Sequence, residues 1–168
     1  MDGHNGIGAV EADLVAHVSL LHRVRGDEVH EDADAVWFLT GEGEPHANGI
    51  LRAALPNGEP GPAIDRLLAP FRERRLPMMW WFFPAADGVP RVVDVALRAA
   101  GLILRSDLPG MILDLAEYRP PELPEDVTIE RVADDATFAV WADVVGHAFG
   151  DPSFARSASV TRECLPRV

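Results

Sequence analysis

Apolar residues recur along this chain at two periods, and each change of period marks a new element. From Ala9 to Arg25, the residues Val10, Leu14, Val18 and Leu21 fall at offsets 0, 4, 8 and 11, one face of a helix. Gly26 is a natural stop for it. The Gly-rich residues 1–8 before it read as a loose start. Residues 27–34 read as an acidic loop. Ala35 to Thr40 and Asn48 to Leu55 then form the two arms of a hairpin around Gly41-Glu42-Gly43-Glu44-Pro45. Pro56 to Pro62 is a loop. Ala63 to Arg75 returns to the helical period, with Ile64, Leu67, Leu68 and Phe71 at 0, 3, 4 and 7.

The unbroken run Met78 to Phe83 predicts a strand buried on both faces, as in a sheet covered by helices. Pro90 suits the first turn of a helix whose face is Val93, Ala96, Leu97 and Ala100, closed by Gly101. Leu102 to Leu104 and Met111 to Leu115 are strand-like. Residues 119–126 hold three prolines and three acids and read as a linker. After it the pattern restarts. Val127 to Arg131 predicts a strand, and Asp134 caps a helix whose face is Phe138, Trp141, Val145 and Phe149. The tail, Asp151 to Val168, has no period. Helices alternating with strands predict an α/β (α+β) fold, a mixed β-sheet flanked by helices. The expected divisions are a lobe at 1–118, the linker at 119–126, and the start of a second lobe at 127–168.

Charge narrows the partners. With 27 acidic and 15 basic residues the net charge is −12, a field that repels a phosphate backbone and an anionic membrane alike. Nucleic acid and membrane are therefore not expected partners. The longest apolar run is far too short to span a bilayer. The single cysteine, Cys164, excludes a disulfide framework and a Cys-based zinc site within the chain. One free thiol and no secretory pattern at the N-terminus suit a cytoplasmic location.

Candidate chemistry is sparse. His17 and His22 are five apart, so they fall on different helix faces rather than at the spacing of four that a zinc pair uses. His30, Glu31, Asp32 and Asp34 lack the glycine and spacing of a calcium loop, and read as a solvated run. No Gly-x-Ser-x-Gly elbow occurs. Cys164 reads as an inert thiol, Trp80 and Trp81 as core, and Tyr118 as a packing or capping residue. The loop Gly58-Glu59-Pro60-Gly61-Pro62-Ala63 resembles loops that aim backbone N–H groups and a helix dipole at pyrophosphate. Pro60 and Pro62 have no N–H to give, however, and Glu59 sets a like charge where the anion would sit.

The element order, this loop, and the segment Leu97-Arg98-Ala99-Ala100-Gly101-Leu102 resemble the GNAT N-acetyltransferase superfamily. Trp37 to Gly41, Asn48 to Leu51, Pro77 to Trp81 and Pro109 to Met111 resemble the first lobe of its two-lobed members. The resemblance spans roughly residues 9–150. It implies acetyl transfer from acetyl-CoA to a small-molecule or peptide amine. The family's cofactor loop reads Gln/Arg-x-x-Gly-x-Gly/Ala, and here Gly58 stands at the first position while Gly61 and Ala63 match. Many members place a tyrosine, the general acid, four residues before a Gly-Phe pair. The matching position is Leu97, which has no proton to donate.

By this resemblance the first lobe is a relic, without catalytic residues and with no cofactor of its own. Val127 to Gly150 resembles the opening of a second lobe, so the chain reads as the front part of a longer acetyltransferase. Two other readings stay open. One is a binding or scaffold module that self-associates through 127–149. The other is a single-domain acetyltransferase with an atypical cofactor loop.

Overall fold

The structure, a computed structural model, describes residues 3–84 and 89–149. The tail from Asp151, Cys164 within it, and the side chain of Phe149 lie outside the described residues. The chain divides into two compact units, Met1–Ile112 and Leu113–Val168.

The first unit is a three-layer α/β arrangement. Helix α1 (Gly3–Arg25) leads into strands β1 (Glu28–Glu31) and β2 (Ala35–Leu39), then β3 (Asn48–Ala53), α2 (Gly61–Arg74), β4 (Met79–Trp80) and α3 (Arg91–Ala99). The sheet order is β1-β2-β3-β4. The first three strands form an antiparallel meander, while β4 pairs parallel with β3 through Gly49 with Met79 and Ile50 with Trp80. The mixed sheet flanked by helices is thus present. The parallel pairing follows from the α2 crossover, since parallel neighbours need a connection of this kind.

Alternation along the strands sends side chains to two cores. Ala35, Leu39 and Ile50 join Ile64, Leu67, Leu68 and Phe71 of α2, with Ala96, Leu97 and Leu102 packed on the same cluster. Val36, Phe38 and Leu51 point the other way and meet Val15 of α1. Trp80 packs on the first cluster and Trp81 on the second, so the two indoles divide between the faces. Both stay half-buried rather than enclosed.

Several expectations need correction. Residues 3–8 are helical, so α1 starts earlier than the loose start implied. The acidic stretch contains β1: Val29 packs on the α1 core and His30 stacks on Trp37 at 4.9 Å, so pairing with β2 overrides the loop-like composition. The apolar run Met78 to Phe83 forms strand only at Met79–Trp80, because the ladder with β3 ends there. Leu102–Leu104, Met111–Leu115 and Val127–Arg131 form no strand. An apolar run becomes a strand only with a partner to pair with, and here Ile103 is 80% and Met111 90% exposed.

In the second unit, helix α4 (Asp135–Phe149) starts as the sequence predicts. The Thr137 N–H donates to Asp134 Oδ1 at 2.8 Å, and Thr137 Oγ1 accepts from the Asp134 N–H at 3.1 Å, a reciprocal cap. Ala142 is its buried position, while Val140 and Val144 are exposed. Tyr118 is exposed too, not packed. Among the described residues no helix is long and apolar enough to cross a membrane.

Candidate functional site

The strand–loop–helix passage from β3 through residues 54–60 into α2 holds Gly58, Gly61 and Ala63. Gly61 opens α2, with Pro60 as its N-cap and Ala63 two residues further on. A helix N-terminus offers four N–H groups that lack intrahelical partners. Here the first and third belong to Pro60 and Pro62, which have none. Gly61 and Ala63 retain theirs, and the Ile64 N–H already donates to the Pro60 carbonyl at 2.9 Å. Each missing donor to a charged acceptor removes about 1.5–3 kcal/mol.

The charges beside the loop work the same way. Glu59, Asp34 and Arg66 line one open groove of about 480 Å³ with Pro56 and Pro62. Two carboxylates face one cation, and Arg66 Nη2 is turned to Asp34 Oδ2 at 3.4 Å. The groove therefore repels an anion overall. The residues present do not fit the pyrophosphate of a coenzyme A ester. Neither glycine is forced by the backbone: Gly58 and Gly61 have no positive φ, and both face open space.

A second groove, about 280 Å³, lies at the carboxyl ends of β3 and β4, where the ladder has ended. Its walls are Trp80, Trp81, Phe82 and Phe83, with Glu11 and Arg52 as the charged groups. Arg52 Nη2 donates to the Asp32 carbonyl at 3.2 Å. Aromatic faces share this lining with the polar groups of Glu11, Arg52 and Asn57. The aromatic run was legible in the sequence; its position at two parallel strand ends was not.

Leu97, which the sequence resemblance sets at the position of a general acid, is partly buried and packs on the α2 core cluster. The Leu102 N–H donates to the Leu97 carbonyl at 3.0 Å and the Gly101 N–H to Arg98 at 3.0 Å, with Gly101 at φ +90°. Leu97, Gly101 and Leu102 thus have a complete structural role as a helix C-cap.

The acidic cluster does not converge. Glu31 pairs with Arg23, Asp34 faces Arg66, and Asp32 Oδ1 accepts the N–H groups of Asp34 and Ala35 at 2.8 Å each. The Ala35 N–H above all, with His30 Nε2 at 2.8 Å, holds the Asp32 carboxyl below its ordinary range. Among the described residues no group of three or more His, Cys, Asp or Glu side chains could hold a metal ion.

One polar constellation escaped the sequence reading. Ser19, His22 and Asp27 combine residue types used in nucleophilic catalysis. His22 Nδ1 lies 2.8 Å from Asp27 Oδ2, and the ring stacks on Phe38 at 3.8 Å. Burial, opposed by the Asp27 carboxylate, lowers the His22 pKa. Ser19 Oγ is buried without a hydrogen-bond partner, so His22 does not activate it. The signal was available: Ser19 and His22 stand four and seven residues after Val15, on the buried stripe.

Comparison with protein-family models, with curated proteins and with solved structures gives no match for this chain.

Proposed function

We propose that the first unit is an acetyltransferase-like lobe that no longer binds acetyl-CoA, within a GNAT-type enzyme that acetylates an amine. The reading is supported by the order of elements, an antiparallel meander followed by a helical crossover into a parallel strand. Placement of the 58–63 loop at the start of the crossover helix supports it further. The observation that carries the loss of function is the α2 N-terminus, where prolines replace two of four N–H donors and Glu59 and Asp34 supply negative charge. Leu97, at the acid position, has no proton to pass on. Calorimetric titration with acetyl-CoA tests the proposal. No heat of binding is expected; micromolar affinity would favour a single-domain acetyltransferase that uses the loop despite its prolines.

A second reading rests on α4. Val140 and Val144 are 66% and 59% exposed on a helix whose buried position is Ala142. Exposed aliphatic residues at helical spacing favour a binding or scaffold module that associates through 127–149. Gel filtration should then show an oligomer that Val140→Glu with Val144→Glu disperses. A clean monomer at high concentration contradicts this reading.

A further inference from the structure

Three helices of the first unit end in the same hydrogen-bond pattern. At α2 the Leu76 N–H donates to the Phe71 carbonyl and the Arg75 N–H to Arg72, at 3.0 and 3.1 Å. At α3 the same two bonds run from Leu102 to Leu97 and from Gly101 to Arg98, both at 3.0 Å. At α1 they run from Asp27 to His22 and from Gly26 to Arg23, at 3.0 and 3.1 Å. Arg75, Gly101 and Gly26 all have positive φ, which completes the Schellman motif. An apolar contact across the longer bond commonly accompanies that motif. Phe71 with Leu76, and Leu97 with Leu102, fill these positions with hydrocarbon on one core cluster. In α1 the equivalent pair is His22 and Asp27, two ionisable groups.

The surroundings of His22 give it little tolerance for a second proton. It is 6% exposed, and β2 offers it only the face of Phe38. The charged groups acting on it are Asp27, Arg25 and Glu42. Asp27 Oδ2 is shared, since Arg25 Nε also lies 3.1 Å from it, and Arg25 Nη2 bonds Glu42 at 3.0 Å. From β1, Glu31 is taken up by Arg23, and the β3 residue in the α1-side core is the apolar Leu51. With Nδ1–H donating to Asp27, the neutral ring is satisfied. A proton on Nε2 would bury a cation against an aromatic face, and Asp27, the carboxylate that would offset it, is already shared with Arg25.

We infer that this cap is a pH-operated latch. With His22 neutral it holds the last turn of α1 against β2; protonation at Nε2 drives the ring out, frees the Gly26 and Asp27 amides, and uncovers Phe38. The α2 and α3 caps, closed by hydrocarbon, have no such response.

Amide hydrogen exchange on the whole chain, corrected for intrinsic rates, tests this at about pH 7.5 and about pH 5. Protection at Gly26 and Asp27 should fall several-fold at the lower pH, while Leu76 and Leu102 keep theirs. The His22→Leu, Asp27→Leu double variant converts the latch to the apolar type and should abolish the pH response at Gly26. Equal responses at all three caps, or none at Gly26, would overturn the inference. So would an unchanged response in the double variant. The comparison of the three caps within the native chain decides the matter even where the variant does not fold.

Discussion

Replacing Asn48 by alanine should be among the costliest single changes in the first unit. Asn48 opens β3 and is fully buried. Its Oδ1 accepts the Thr40 N–H at 3.1 Å, and its Nδ2 donates to the carbonyls of Glu42 at 2.8 Å and Pro77 at 3.1 Å. One side chain thus closes the β2–β3 turn and ties it to the residues that enter β4. Three bonds at a net 0.5–1.5 kcal/mol each give about 3 kcal/mol, before any cost for partners left dry. Urea unfolding followed by tryptophan fluorescence reads this unit through Trp37, Trp80 and Trp81. The midpoint should fall with the slope unchanged. Asn48→Asp is the sharper control: it keeps the acceptor for Thr40 but turns an acceptor oxygen toward two carbonyls, so it should lose at least as much. A loss below about 0.5 kcal/mol in the alanine variant, or a silent aspartate variant, would refute the reasoning, since it would mean that the bonds contribute nothing net.

The remaining predictions concern packing, capping and protonation. At Gly49 an added Cβ would meet the Met79 carbonyl oxygen at 3.0 Å and rings of Phe38 and Trp81 at 3.1 and 3.2 Å, so Gly49→Ala should cost about 1–3 kcal/mol in the same unfolding assay. Gly101 has open space but a φ of +90°, so Gly101→Ala should cost about 1 kcal/mol through backbone strain alone, read as a lowered thermal midpoint. His22 has a folded pKa below 6.5, with burial the largest cause, so the unfolded chain takes the proton first as pH falls. Its contribution to stability is complete above pH 6.5 and is lost as pH drops from there toward the folded value; a His22→Leu, Asp27→Leu chain should show a flatter unfolding free energy over that window.

The legible parts of the fold are those where local pattern and tertiary partner agree. The α2 face of Ile64, Leu67, Leu68 and Phe71 is the buried face, and the β2–β3 hairpin pairs as its turn residues imply. The expected α1 face of Val10, Leu14, Val18 and Leu21 is half-buried, with Leu14 and Val18 packed on the core, but it flanks the most buried stripe rather than forming it. Val15, Ser19 and His22 are its most buried residues, and two of them are polar. A hydrophobicity pattern passes over a serine and a histidine, although a neighbouring carboxylate makes the histidine a tolerable core residue. β1 was hidden for a related reason: Glu28, His30 and Glu31 resemble a solvated loop until β2 supplies the ladder. The expected strands at 102–104, 111–115 and 127–131 fail in the opposite sense, since their apolar composition carries no information about whether a neighbour exists to pair with.

The candidate site divides along the same line. That Pro60 and Pro62 lack N–H groups is a property of the residues alone and needed no coordinates. That they fall at the first and third of the four donor positions of α2 needed the helix boundary. That Arg66 is turned to Asp34 needed the fold, because the two are 32 residues apart. The aromatic groove at the strand ends likewise exists only through the parallel pairing of β3 and β4.

The central claim concerns the N–H groups of Gly61 and Ala63, the two donors that the prolines leave. Two-dimensional amide NMR of the whole chain, titrated with coenzyme A and separately with inorganic pyrophosphate, observes those groups directly. The account predicts that neither resonance, nor that of Ile64, moves in a saturable way with either titrant. Saturable shifts at Gly61 and Ala63 with coenzyme A would contradict it.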